Sequence, residues 1–464
     1  MGALRLIWGS PLRERAELEE SRMIEQVLKA RNLYKAYHQV AKNKGSAGVD
    51  GMSVSALGQH LDGKLLKLLS KVQDRSYEAQ PILGVAIPKG NGKTRQLGVP
   101  TVIDRTLQQA LTQIMVTRFE LEFKTHSYGF RPSKNAHQAV YQAQKNINEG
   151  YQHIVDIDLE KFFDQVDHSI ILQLVYRKVK CQTTMWLLRK WLRAPIQIGG
   201  KLLKRRKGIP QGSPLSPLLS NIMLHELDRM LEAKGLRYVR YADDFSVYTK
   251  SKAMAKKIGN DLYRFLRHKL KLPINRAKSG IRRPINFELL GYGFVPSYVK
   301  GEKGIYQLVV SAKAWKKLKT NLKEITKKTT PASLSERLAR LKSVKRGWVN
   351  YFRMASIQQK LKTLDTWLRN RLRYCIWHDW KKLDRKRKNL IRLGINQNQA
   401  YAWSRTRMGG WAVAQSPILI TTITLSRLRK RGYISLLELY EQCSPKRTPL
   451  FNEPLYTRPV RTVV

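Results

Sequence analysis

The sequence predicts an α+β front followed by an all-helical rear, on three observations. Short apolar runs bounded by Gly, Pro and Asn recur up to about residue 305. Helical spacing of apolar residues dominates from about 311 to about 390. Lysines multiply at the same point, and basic clusters such as residues 381–388 follow.

Each element follows from its residues. Residues 17–40 alternate charged and apolar groups at helical spacing, through Met23, Val27, Leu28, Leu33 and Tyr37, and predict a helix. Gly45 to Gly51 (GSAGVDG) predicts a loop. Residues 81–99 predict strand, turn, strand, with Gly90-Asn91-Gly92 at the turn. Helices are predicted at 101–122 and 134–148, and a strand at 153–159. The Gly/Pro stretch 208–217 predicts a stiff loop that opens a helix over 218–231, and 236–248 reads as two short strands around a polar pair. Boundaries fall near 305 and 390. No internal repeat or low-complexity linker interrupts the chain.

Composition narrows the function. Of 464 residues, 87 are Lys or Arg and 34 Asp or Glu, so the formal net charge is 87 − 34 = +53. The 42% hydrophobic content supplies real cores, which argues against wholesale disorder. A folded chain with this charge repels itself and calls for a large anionic partner, for which nucleic acid is the natural candidate. Cys181, Cys375 and Cys443 are too far apart for a Cys-x-x-Cys zinc module, and the usage fits a reducing cytosol. Residues 1–10 predict no signal peptide, Leu6 stands where a myristoylation signal wants Ser or Thr, and no apolar run approaches the roughly 20 residues of a membrane span.

Four segments carry chemistry. An apolar strand delivers Asp158, with Asp156 just before it and the aromatic pair Phe162-Phe163 after it. Gly208-Ile-Pro-Gln211-Gly-Ser-Pro-Leu-Ser-Pro217 is a constrained loop, and Tyr241-Ala-Asp243-Asp244-Phe245 puts an Asp pair at a hairpin tip. Ile87-Pro-Lys89 through Arg95 flanks a turn with basic groups. Each alone has an ordinary explanation; together, in this order, they do not. Carboxylates are scarce in this chain, and packing those at the ends of two strands together costs roughly a few kcal/mol without a cation. Two magnesium ions about 3.5–4 Å apart would relieve that cost, activate an attacking 3′-oxygen and stabilise a leaving pyrophosphate.

On these residues the chain resembles a reverse transcriptase. Gly45–Gly51, Ile87–Arg105, Ser127-Tyr-Gly-Phe-Arg-Pro132, Phe287-Glu-Leu-Leu-Gly-Tyr-Gly-Phe294 and Gly347-Trp-Val-Asn-Tyr-Phe352 narrow the resemblance to group II intron-encoded reverse transcriptases and maturases, over about residues 20–440. The compact length and missing endonuclease are most similar to the bacterial class C branch. The resemblance implies a right-hand polymerase fold: an N-terminal extension and start of the fingers at 1–60, fingers and palm at 61–305, a helical thumb at 306–390, and a small basic DNA-binding region at 391–464. It implies an RNA-directed DNA polymerase that binds its intron RNA to assist splicing and copies it by target-primed reverse transcription during retrohoming.

The resemblance also assigns roles. Asp158, Asp243 and Asp244 would bind two Mg2+, with Mn2+ as a substitute. Asp156 competes for the first place; Asp158 is preferred because the family's aromatic gate lies five residues later, at Phe163, with Phe162 as the fallback. Lys89 and Arg95 would grip the incoming triphosphate, a compact ammonium and a bidentate guanidinium. Gln211 would lie under the nascent base pair and Lys278 near the leaving group, while Arg131 would support the fingers or the template. Lys313, Lys316, Lys317, Lys319 and Lys323 would face a phosphate backbone, and Trp348, Tyr351 and Phe352 would pack in the thumb core. Expected partners are group II intron RNA, target DNA, an RNA template-primer duplex, dNTPs and, in some assemblies, a second copy of the chain. The expected location is the bacterial cytoplasm, at the nucleoid, with no membrane contact.

Overall fold

A computed structural model describes residues 23–90, 92–297 and 304–443. They form two compact units, one closing at Arg283 and one opening at Pro284.

The first unit begins with a helix at 23–28 that stops at Lys29, where ψ is 132°, and resumes over Ala30–Lys42. The single helix expected over 17–40 is therefore broken, and residues 17–22 lie outside the described residues. Asn32 sustains the break: its Nδ2 donates to the Val27 carbonyl at 2.9 Å and to the Ala110 carbonyl at 3.1 Å.

The basic hairpin forms as expected. β1 (Ile82–Gly90) and β2 (Lys93–Val99) pair antiparallel from Leu83↔Val99 to Gly90↔Lys93. The next helix, Val102–Glu120, is capped by Thr101 Oγ1 and buries Leu107, Leu111 and Met115. Helix Ala136–Asn148 opens with a reciprocal capping box between Asn135 and Gln138. β3 (His153–Ile157) follows, then the short strands β4 (Ile196–Ile198) and β5 (Lys201–Leu203), which extend the first sheet to the order β2-β1-β4-β5.

Helix Ser216–Ala233 buries Leu218, Leu219, Ile222, Met223, Leu224, Leu227 and Leu231, too broad a face for a surface helix, and so runs through the core. β6 (Arg237–Tyr241), β7 (Asp244–Thr249) and β8 (Gly280–Arg282) complete a second sheet of order β6-β7-β3-β8.

The second unit opens with a three-stranded sheet of β9 (Glu288–Leu289), β10 (Tyr292–Pro296) and β11 (Tyr306–Val310). Helices Ala312–Ile325, Leu334–Phe352 and Gln358–Asp379 follow. The compact unit thus starts ahead of the composition change near 305. The reason is packing: the Tyr292 ring lies 5.1 Å from Phe352, and Gly291, at φ 83°, leaves room for the Phe352 ring. Trp348 sits 4.7 Å from Phe352 and 4.8 Å from Trp315; Phe352 is buried, and Trp315, Trp348 and Tyr351 pack half-buried around it. Among the described residues, no helix is long and apolar enough to cross a membrane, and Cys181, Cys375 and Cys443 are free thiols.

Candidate functional site

The register of the second sheet assembles the site. β3 pairs antiparallel with β7, and its last pair is Ile157↔Phe245. Extending that ladder by one residue sets Asp158 opposite Asp244, which opens β7. β6 and β7 pair up to Tyr241↔Asp244, so Ala242 and Asp243 form the two-residue tip of a hairpin. Ala242 takes a left-handed φ of 58°. A Cβ on Gly129 would meet the Ala242 nitrogen at 2.2 Å, so only glycine fits beside this turn.

The turn is braced from below. Arg240 on β6 and Asp228 on the Ser216–Ala233 helix are both fully buried and joined by two hydrogen bonds of 2.8 and 2.6 Å. Arg240 Nη1 also donates to Asn221 Oδ1 and to the Ala242 carbonyl, each at 3.0 Å. Asn221 Nδ2 in turn donates to the Gly129 carbonyl at 2.9 Å.

Charge gathers at the tip. The Asp244 carboxyl is pushed up to about 6, through dehydration first and then the Asp243, Asp158 and Asp156 carboxylates, with Lys278 opposing. The residue as a whole is exposed, beside those carboxylates. Lys278 Nζ lies 3.3 Å from Asp158 Oδ2. Asp156 is engaged elsewhere: it accepts from Arg282 Nε at 2.7 Å, and burial raises its carboxyl despite that bond. Of the two competing aspartates, Asp158 is the one beside the turn.

A divalent cation fits this donor set. Hard carboxylate oxygens that repel one another are the ligands Mg2+ takes. They do not stand as a finished cage, since among the described residues no three His, Cys, Asp or Glu side chains are gathered into a metal-ligand group.

The flanking residues separate by exposure. Phe162 is 2% exposed and belongs to the core, whereas Phe163 is half-buried, edge-on to it at 5.2 Å. The Phe163 carbonyl accepts from Ile209 N at 2.6 Å, tying the aromatic pair to the Gly/Pro loop. In that loop Gly212 has φ 126°, and a Cβ there would meet the Gly98 carbonyl at 2.7 Å. Gln211 accepts from Gly98 N through its carbonyl at 2.9 Å, and its side chain accepts from Arg95 Nε. Two residues 116 apart in sequence are thus joined where the hairpin meets the loop. Lys89 lies in β1, but its side chain falls outside the described residues.

Arg131 is not presented to a template. All five of its N–H donors are consumed by Glu120 and the carbonyls of Phe123, Lys124 and Ser127, and its side chain is 5% exposed. The guanidinium is thus bonded wholly within residues 120–131 and has no spare donor. Lys313, Lys316, Lys317, Lys319 and Lys323 are all exposed or half-exposed on helix Ala312–Ile325, while Leu318 and Leu322 are buried on the opposite side.

Sequence reasoning misses three residues. Arg240 gives no signal beyond its place before Tyr241. Asn275 donates to Asp158 Oδ2 at 2.9 Å, and Ser279 Oγ accepts from Asp158 N at 3.0 Å. Both lie in the Asn-Arg-Ala-Lys-Ser segment, where the lysine is the residue that draws notice.

Residues 87–294 match the family described as reverse transcriptase (RNA-dependent DNA polymerase), and residues 315–394 match the group II intron, maturase-specific domain. Protein YkfC of Escherichia coli (strain K12) is 31% identical over 279 residues, covering 52% of this chain and 73% of that protein. The group II intron-encoded protein LtrA of Lactococcus lactis subsp. cremoris is 32% identical over 221 residues, covering 47% of this chain and 37% of LtrA. Among solved structures, Candida albicans telomerase in complex with a fragment of telomeric RNA is 13% identical, covering 73% of this chain and 66% of that one at a TM-score of 0.39, a likeness too loose to carry weight.

Proposed function

The chain belongs to the group II intron-encoded reverse transcriptases and maturases, and we propose that it copies its own intron RNA into DNA at a nicked target and helps that RNA to splice. The observation that carries this reading is the β3–β7 register, which lines up Asp158 with Asp244 beside Asp243. The reverse transcriptase family is generally metal-dependent, and nucleic acid is its partner.

In this reading Asp158, Asp243 and Asp244 hold two Mg2+. When bound, such a pair favours the alkoxide form of a primer 3′-hydroxyl and offsets the charge of departing pyrophosphate. The remaining steps belong to the chain. Lys89 and Arg95 grip the triphosphate of the dNTP, and Gln211, which holds Arg95, ties that grip to the floor under the nascent base pair. Phe163 crowds the sugar 2′-position, and Lys278 stands beside the leaving group. The lysines of helix Ala312–Ile325 follow the phosphate backbone of the RNA or the template-primer duplex. Target DNA, a second copy of the chain and a cytoplasmic, nucleoid-associated location complete the proposal.

The experiment purifies the chain from cells and sequences the RNA that accompanies it, then measures splicing of that RNA at low magnesium with the wild type and with an Asp243→Ala, Asp244→Ala variant. A structured intron whose splicing both proteins accelerate supports the reading. No accompanying intron, or splicing that collapses with the Asp pair, contradicts the maturase half.

A further inference from the structure

Asp158 stands one residue past the end of β3, beyond the last pair of the β3–β7 ladder, which aligns it with Asp244 without bonding it. A second segment holds it there. Residues 273–279 run alongside residues 158–160: Glu160 N donates to the Pro273 carbonyl at 2.9 Å, Leu159 bridges to Ile274, and Asn275 N donates to the Asp158 carbonyl at 2.9 Å. Asp158 N donates to Ser279 Oγ at 3.0 Å. Both backbone polar groups of Asp158 are therefore held by one short segment. That segment is itself a closed turn, with Lys278 N and Ser279 N donating to the Asn275 carbonyl at 3.2 and 2.9 Å.

The side chain is held too. Asn275 Nδ2 donates to Asp158 Oδ2 at 2.9 Å, and Lys278 Nζ approaches the same oxygen at 3.3 Å. Asp158 Oδ1 has no hydrogen-bond partner among the described residues. The two contacts differ in kind. The Lys278 side chain is 64% exposed, and its charge competes with any cation brought to Asp158. The Asn275 amide is half-buried and neutral, so it fixes the carboxylate without opposing a cation.

We propose that Asn275 is a positioning residue for Asp158, pinning Oδ2 so that Oδ1 is presented to a divalent cation. The proposal rests on the reading of Asp158 as a metal ligand. A hydrogen-bonding partner behind a ligating carboxylate is a general device, and its loss costs about ten- to a hundredfold in metal affinity or activity. Asn275→Ala removes the amide and keeps the backbone N–H that holds the Asp158 carbonyl, so the turn retains its main-chain anchors.

The test titrates the purified full-length chain with Mn2+ alone, counting free Mn2+ by electron paramagnetic resonance, for the wild type, Asn275→Ala, Asn275→Gln and Asp158→Ala. Thermal midpoints of all four establish that they are folded. The Mn2+ dissociation constant is expected to rise about ten- to a hundredfold in Asn275→Ala and to recover partly in Asn275→Gln, which keeps an amide donor on a longer arm. Primer extension by Asn275→Ala should regain ground as Mg2+ is raised. Mn2+ binding that is lost in Asp158→Ala but unchanged in Asn275→Ala overturns the positioning role alone. Mn2+ binding that survives in Asp158→Ala overturns the metal assignment beneath it.

Discussion

Arg240 Nη1 donates to the carbonyl of Ala242, 3.0 Å away, from a guanidinium that no solvent reaches. A buried ion pair is a poor device for stability, because dehydration offsets most of the attraction. Here the pair does something else. Asp228 fixes the guanidinium in two directions, and the guanidinium holds the left-handed residue at the hairpin tip, one position before Asp243.

Removing one partner should therefore unfold more than it detunes. Arg240→Met alone strands the Asp228 charge and should cost about 3–5 kcal/mol. Arg240→Met with Asp228→Leu should recover most of that loss and still leave primer extension impaired, since nothing holds the Ala242 carbonyl. Denaturant titrations with extension rates check both halves. Full activity in the stable double variant would show that the turn needs no anchor.

The two phenylalanines should respond differently. Phe163→Ala should relax the exclusion of ribonucleotides while the protein stays folded. Phe162→Ala, at a core position, should cost about 3–5 kcal/mol in stability. Ribonucleotide incorporation and a denaturation midpoint on each variant distinguish them; selectivity lost at Phe162 instead would move the gate by one residue.

Much of this is legible in the sequence, for identifiable reasons. Alternating apolar residues around Asp156 and Asp158 give β3, and the polar pair between 236 and 248 gives the β6–β7 hairpin, though its tip is Ala242-Asp243 and Asp244 already pairs with Tyr241. Local turn chemistry at Gly92 gives the β1–β2 hairpin. What stays hidden depends on tertiary approach. Asn275 lies 117 residues from Asp158, and no periodicity links them. Arg131 is expected to support the fingers or the template, and its enclosure by Glu120 and three carbonyls is visible only in three dimensions. The break at Lys29 is hidden because the apolar spacing continues through it; only the Asn32 contact to Ala110 reveals why the chain turns there.

A pH effect is expected in the second unit. Lys345 is 1% exposed, bonded to the Ile434 carbonyl and 4.2 Å over the Tyr433 ring. Burial lowers its ammonium from 10.5 to about 8, with Asp365 and Glu438 opposing the fall. The unfolded chain then binds the extra proton between about pH 8 and 10.5, so this group's contribution to stability rises with pH across that window. Below pH 8 the full cost applies, about 3 kcal/mol. Urea unfolding of the wild type and Lys345→Met at pH 7.5 and 10 measures it: the gap between them should narrow at pH 10. A gap that stays constant would mean the amine titrates normally.

Charge reversal at Lys316, Lys319 and Lys323 should weaken RNA binding and flatten its dependence on salt, by roughly 0.7–0.9 in the log–log slope for each phosphate no longer neutralised. Affinity across a salt series is the measurement. An unchanged slope would place the phosphate-binding groups on another surface.

The most direct measurement is extension of a DNA primer on an RNA template with Mg2+, comparing the wild type with Asp158→Ala and Asp243→Ala at equal RNA occupancy. Both variants should bind RNA as the wild type does and lose DNA synthesis by several orders of magnitude, because one missing ligand withdraws stabilisation from both the attacking and the leaving oxygen. Near-normal extension by either variant would contradict the assignment of these carboxylates to catalysis.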